Sequence, residues 1–217
     1  SKQRFGAMLD SGGQITLIDQ ELVHELGLSI SRDSIQLNEV RCPLALLDTL
    51  RLGAAEFVNV ACAILPLRKV GVTDCEMILG NDLLSLFPEI ELDYEHQMMY
   101  LRSQAESLPN AHRNLMLNKV PYISAELNGI PITLLWDTGS NKSSIEPHFY
   151  NVYRNYLPSI HKHGCKRGKT ATGKTRKLNY AILPQIELSI GDKTSTMTDV
   201  YMIEDMPHLE LMGVPFD

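Results

Sequence analysis

Polar and apolar positions alternate most cleanly over 123–128, where Ile123, Ala125 and Leu127 take one side and Ser124, Glu126 and Asn128 the other. A period of two sets one face of a strand against a core and the other in water. Asn128-Gly129 follows, and both residues tolerate the positive φ of a type I′ turn, so the pattern predicts a hairpin. Further strand pairs are predicted from Thr49–Leu52 and Phe57–Leu65 around Gly53-Ala54-Ala55, and from Gln185–Ile190 and Met197–Ile203 around Gly191-Asp192. Ile90, Leu92 and Tyr94 alternate with Glu91, Asp93 and Glu95. Helical spacing is scarcer. Leu22, Val23 and Leu26 share one side of a helix over 19–27, with Gly27 as its C-terminal cap. Pro147 opens a second over 146–157, and 81–87 reads as a short third. The chain is therefore mainly β with short helices.

The pattern repeats. Phe5-Gly6-Ala7-Met8-Leu9-Asp10-Ser11-Gly12-Gly13 matches Ile132-Thr133-Leu134-Leu135-Trp136-Asp137-Thr138-Gly139-Ser140: an apolar-rich run, then Asp, a hydroxyl residue, Gly and a small residue. Each copy continues into a short apolar segment, Ile15–Ile18 and Ser143–Ile145. Far downstream each has an apolar-apolar-Gly landmark, Met77-Ile78-Leu79-Gly80 and Leu211-Met212-Gly213. The polar stretch Arg102–Lys119, with Pro109, separates the copies. Two lobes follow, 1–104 and 115–217, joined by 105–114. The copies are cut differently: the second has a strand pair ahead of its Asp, whereas the first begins nine residues before Asp10. That difference is expected of a fragment or of trimmed ends.

Composition changes little in this picture. At 217 residues, with 44% hydrophobic and 21% charged residues, the chain reads as globular. A net charge of −6 argues against a nucleic-acid partner, and no apolar stretch is long enough to span a bilayer. No signal peptide opens the N-terminus. Cys42, Cys62, Cys75 and Cys165 form no Cys-x-x-Cys pair, and Cys62, inside an apolar run, is expected to be a buried free thiol.

The duplicated Asp carries the chemistry. Hydrolysing an amide without a metal or a covalent nucleophile requires that one group take a proton from water and another give one to the substrate. Two adjacent carboxylates do both, because like charges at contact distance cannot both ionise. The glycine after each hydroxyl residue allows a tight turn, and the hydroxyls of Ser11 and Thr138 are placed to brace the two loops. Asp-Ser-Gly-Gly and Asp-Thr-Gly-Ser, with Met77-Ile78-Leu79-Gly80-Asn81-Asp82-Leu83 downstream, resemble the pepsin/retropepsin clan of aspartic peptidases, in particular bacterial retropepsin-like members with tandem lobes. The resemblance spans nearly the whole chain. It implies two homologous closed β lobes and a cleft between them that binds an extended polypeptide. It implies no cofactor and no metal, and leans towards an extracytoplasmic compartment. Carried over by position, Asp10 and Asp137 are the catalytic pair, and Ser11, Gly12, Gly13, Thr138, Gly139 and Ser140 support the loops. A single-chain pseudo-dimer is expected; pairing of lobes between chains and a non-catalytic peptide-binding module are the alternatives. Ser140, present where the first copy has Gly13, is expected to favour the anion at Asp137 and leave the shared proton on Asp10.

Other motifs carry less. The resemblance also implies a β-hairpin flap. In the second copy His161–Lys177, rich in Gly, Lys and Arg, suits it; in the first, Ser31–Pro43 lacks glycine and is expected to be either stunted or incomplete. Gly168-Lys169-Thr170-Ala171-Thr172-Gly173-Lys174-Thr175 fits the phosphate-loop pattern in letters but lacks a buried strand before it and a helix after it. His161, His163 and Cys165 read as a polar loop rather than a metal site, and His24 and His112 as surface residues. Asp82 and Asp217 read as structural, and Leu135 and Trp136 as core.

Overall fold

The computed structural model describes residues 3–37, 40–105, 115–169 and 175–204. These fall into two units. The first holds the described residues up to 105 together with the triplet Asp137–Gly139, and the second holds the other described residues.

In the first unit, strands β1 (Ala7–Leu9) and β2 (Leu17–Asp19) precede helix α1 (Gln20–Leu26). Strands β3 (Ser29–Leu37), β4 (Val40–Leu52) and β5 (Ala55–Leu65) follow, then α2 (Leu67–Val70), β6 (Met77–Leu79), α3 (Asn81–Leu84), β7 (Glu89–Asp93) and β8 (Met98–Arg102). One sheet runs β1-β6-β2-β5-β4-β3, and β7 pairs with β8 alone. The runs Val60–Leu65 and Met77–Leu79 are continuously apolar because their sheet is covered on both faces. Val60, Cys62, Ile64, Met77 and Leu79 pack with Ile18, Leu22 and Leu47 on one side. Ala63, Leu65 and Ile78 pack with Cys42, Leu67 and Cys75 on the other. Helix α1 obeys its predicted signals. Asp19 caps it by accepting a hydrogen bond from the Glu21 amide at 3.0 Å, and Gly27 ends it at φ 61°.

The second unit begins with β9 (Leu115–Asn118), β10 (Val120–Leu127) and β11 (Ile130–Leu135). It continues through β12 (Ser144–Ile145), α4 (Pro147–Tyr153), β13 (Lys162–Lys169), β14 (Thr175–Ile190) and β15 (Lys193–Ile203). Its sheet runs β11-β10-β14-β15-β12, with β13 also on β14 and β9 also on β10. Asn128 and Gly129, at φ 49° and 77°, form the predicted tight turn between β10 and β11. Phe149 of α4 is buried with Leu127, Leu183, Ile186 and Val200. The duplication extends to a kink: Asn59 in β5 and Asp199 in β15 interrupt their ladders at φ 55° and 52°. Asn and Asp are the non-glycine residues that enter this region most readily.

Several expectations are corrected. The lobes are not closed: the described strands form open sheets, ending at β1 and β3 in one unit and at β11 and β12 along the main path of the other. Alternation fixes which face of a strand is buried, not whether the first and last strands meet. The hairpin of the first copy is not stunted. Its β3 arm has nine residues, against eight for β13, and pairs with β4 as far as Leu37↔Val40, so an arm of this length needs no glycine. Strand β8 ends at Arg102 and β9 begins at Leu115, on either side of the expected linker 105–114, of which residues 106–114 lie outside the described residues. The phosphate-loop look-alike is flanked by strands β13 and β14, without the helix that a phosphate site requires. The landmark Leu211-Met212-Gly213, like Asp217, His112 and the tips at 38–39 and 170–174, lies outside the described residues.

Candidate active site

Asp10 follows β1, and its amide donates to the Leu79 carbonyl at 3.0 Å, extending the β1–β6 pairing by one residue. The chain then turns sharply. The Gly13 amide donates both to the Asp10 carbonyl at 3.1 Å and to Asp10 Oδ1 at 2.9 Å. The turn is strapped to the β6–α3 corner, where the Asn81 amide donates to the Gly13 carbonyl at 2.7 Å. Buried Thr16 completes the strap. Its Oγ1 accepts from the Gly80 amide at 3.1 Å and donates to Asp82 Oδ1 at 2.8 Å. A Cβ on Gly80 would lie 2.5 Å from the Ile15 carbonyl carbon, so only glycine admits this approach. The downstream landmark therefore fixes the Asp10 loop. The sequence analysis passed over Thr16; its signal is a hydroxyl inside the apolar run Ile15–Ile18.

Asp137, Thr138 and Gly139 lie with this loop in the first unit. Thr138 Oγ1 accepts from the Ser11 amide at 3.1 Å and donates to the Leu9 carbonyl at 2.9 Å. In return Ser11 Oγ accepts from the Thr138 amide at 3.1 Å. The Gly139 amide donates to Asp137 Oδ1 at 2.8 Å. The glycines leave space for the carboxylates. A Cβ on Gly12 would stand 2.6 Å from Asp137 Cγ, and one on Gly139 2.6 Å from Asp10 Cγ. On Gly13 it would stand 2.8 Å from Asp10 Oδ2.

Burial, and then the negative charge of Asp137, raise the pKa of Asp10 above the ordinary carboxylate value. A hydrogen bond shared with the Asp137 carboxyl acts in the same direction, while the Gly13 and Gly12 amides oppose it. Asp10 thus holds a proton more tightly than an ordinary carboxyl. Ser140 is engaged elsewhere. Its Oγ donates to the Lys142 carbonyl at 2.8 Å and shapes the turn that follows. A short polar residue beside a turn satisfies local backbone groups first.

Of the predicted site residues, the structure brings together Asp10, Ser11, Gly12, Gly13, Asp137, Thr138 and Gly139; Ser140 belongs to the second unit. Trp136, expected in the core, is 47% exposed beside Asp137, although its amide donates to the Pro121 carbonyl at 2.9 Å. Cys62, buried and near the charge of Asp82, has its thiol pKa pushed up to about 12, so it offers no nucleophile at neutral pH. Cys42, Cys62 and Cys75 are buried free thiols and Cys165 an exposed one. Among the described residues no three His, Cys, Asp or Glu side chains stand together to hold a metal ion. Nor is any described helix long and apolar enough to cross a membrane.

A family model described as aspartyl protease matches residues 1–83 and 123–216. No curated protein matches the chain.

Proposed function

Because the chain belongs to the aspartyl protease family, we propose that it is an endopeptidase whose catalytic groups are the carboxylates of Asp10 and Asp137. The observation that carries this reading is the meeting of the Asp10 and Asp137 loops, locked by the reciprocal Ser11–Thr138 hydrogen bonds, with Asp10 raised by burial and by the charge of Asp137. In the proposed reaction Asp137, as the anion, takes a proton from a water molecule while the oxygen of that water attacks the substrate carbonyl carbon. Asp10 gives its proton to the carbonyl oxygen, producing a neutral tetrahedral diol. A proton then passes from the pair to the amide nitrogen, the C–N bond breaks, and the resting protonation is restored. Each carboxyl acts once as acid and once as base, so no cofactor enters the balance.

The supporting residues have distinct parts in this proposal. Ser11 and Thr138 brace the two loops by reciprocal hydrogen bonds. Gly12 and Gly139 keep clear the space next to the opposite carboxylates. A preorganised pair needs no reorganisation as charge moves, which is the larger part of what such a site contributes. Both carboxylates come from one chain, so a monomer suffices.

The test is cleavage of an unstructured polypeptide across acidic to neutral pH. Asp10→Asn and Asp137→Asn should each abolish it, and a statine-type mimic of the tetrahedral diol should inhibit it. Cleavage that survives either substitution would overturn the assignment. Peptide binding without cleavage by the wild-type protein would point to a non-catalytic module instead.

A further inference from the structure

We propose that Lys142 and Lys166, set around the ring of Tyr201, form a subsite that selects an acidic side chain of the polypeptide; the proposal rests on the peptidase reading above. The chain carries a net charge of −6, yet 161–177 holds seven of its twenty Lys and Arg residues and no Asp or Glu. Strand β13 and the start of β14 lie in this segment. Their register places Gly164 opposite Tyr180 and Lys166 opposite Leu178, on one face of the hairpin. Gly164 is required there, because a Cβ would collide with the Tyr180 ring. With no side chain beneath it, Tyr180 lies over the strand and packs on Tyr201, with ring centroids 5.3 Å apart.

Two cations meet at that aromatic pair. Lys166 Nζ and Lys142 Nζ each lie 5.5 Å from the centroid of the Tyr201 ring, so they stand within twice that distance of each other. Both ammonium groups are drawn to the electron-rich face of the ring, which offers each only a partial counter-charge. The Glu204 and Asp199 carboxylates face histidines, Glu204 3.5 Å from His163 and Asp199 4.0 Å from His161. A carboxylate arriving from outside would supply the missing counter-charge, while the tyrosine rings would accept its methylene stem.

Lys142 is tied to the candidate active site through the chain. The loop carrying Asp137 continues to Ser140, whose hydroxyl donates to the Lys142 carbonyl at 2.8 Å and accepts from the Lys142 amide at 3.4 Å. From there β12 runs alongside β15, pairing Ser144 with Tyr201. Ser140 thus sets the position of a cation in the turn after Asp137. A single carboxylate fits two ammonium groups around one ring. A long polyanion does not suit a protein that is acidic overall.

The experiment uses matched peptides that differ by Glu or Gln at each position flanking the cleaved bond. In the wild-type protein, kcat/KM should favour Glu by about tenfold at one position, as expected for two exposed ion pairs acting together. The preference should shrink with added salt. Lys142→Gln combined with Lys166→Gln should bring the Glu-to-Gln ratio to about one, and Lys166→Glu should shift preference towards a Lys-containing peptide. The same peptide pairs are titrated by fluorescence anisotropy against the Asp137→Asn protein, which reads binding without chemistry. If no peptide is cleaved but the Glu peptide binds more tightly and the double substitution removes that advantage, the peptidase reading fails and the subsite stands. Cleavage with equal rates for Glu and Gln peptides overturns the subsite and leaves the peptidase reading intact. Binding to vesicles of anionic phospholipid without any Glu preference also overturns it, assigning the basic hairpin to a membrane surface.

Discussion

Adding one methyl group at Gly139 tests whether the site works by the spacing of its carboxylates. A Cβ built there lies 2.6 Å from Asp10 Cγ and 2.6 Å from its Oδ1, against about 3.5 Å for an ordinary carbon contact. The Asp10 carboxyl must therefore withdraw by roughly 1 Å, a displacement that costs about 10²-fold when reacting groups are held in register. The obstacle is a side chain that can rotate, not backbone, so the fold should bear the change with little loss. Gly139→Ala should then lower kcat for peptide hydrolysis by about 10²-fold while melting close to wild type. Gly12→Ala, whose Cβ lies 2.6 Å from Asp137 Cγ, should behave alike. Gly80→Ala is the informative contrast, because its Cβ meets the Ile15 backbone and should damage stability as well as rate. Steady-state kinetics with a fluorogenic peptide, alongside thermal melts, separates these cases. Gly139→Ala with activity within threefold of wild type would refute the reasoning.

Two more outcomes follow from the same residues. Burial and the charge of Asp137 raise Asp10 in the folded state, so its stabilising contribution is full below the unfolded carboxylate pKa, about 3.9, and is lost as pH rises through the folded value. Asp10→Asn should therefore gain stability relative to wild type on going from acid to neutral pH; urea denaturation showing a constant difference would contradict this. Thr16→Val keeps the shape of a fully buried side chain but strands the Gly80 amide, at a cost of about 2 kcal/mol. A chain of this size should then melt roughly 4–8 °C lower, and a melt within a degree of wild type would argue against the strap.

The legible parts of the fold were those written in local chemistry. Asp19 and Gly27 bound α1 because a cap and a left-handed glycine are decided by neighbouring residues. Asn128-Gly129 gave its turn for the same reason. The duplicated Asp triplets were legible because two copies in register are improbable as mere turns. What stayed hidden depends on partners distant in sequence. Nothing beside Thr16 announces that Gly80 and Asp82 will take both functions of its hydroxyl. Ser140 follows the Asp137 triplet in sequence, yet its hydroxyl donates to the Lys142 carbonyl. Trp136 continues the inward parity of Ile130 and Ile132, yet β11 ends at Leu135 and the pattern lapses, leaving Trp136 exposed. The kinks at Asn59 and Asp199 had a signal in polar residues within apolar strands, though only pairing reveals the interrupted ladder.

The reciprocal bonds between Ser11 and Thr138 also bear on when the protein becomes competent. They join residues 127 apart along the chain. Closing a loop of that length costs roughly 4 kcal/mol in chain entropy, to be repaid by contacts that form later. During synthesis Asp10 is made before its partner, which is lacking until the turn Asp137–Gly139 has been added. Any hydrolytic power that depends on the pair is therefore withheld until then, and a nascent chain short of that point cannot digest its neighbours.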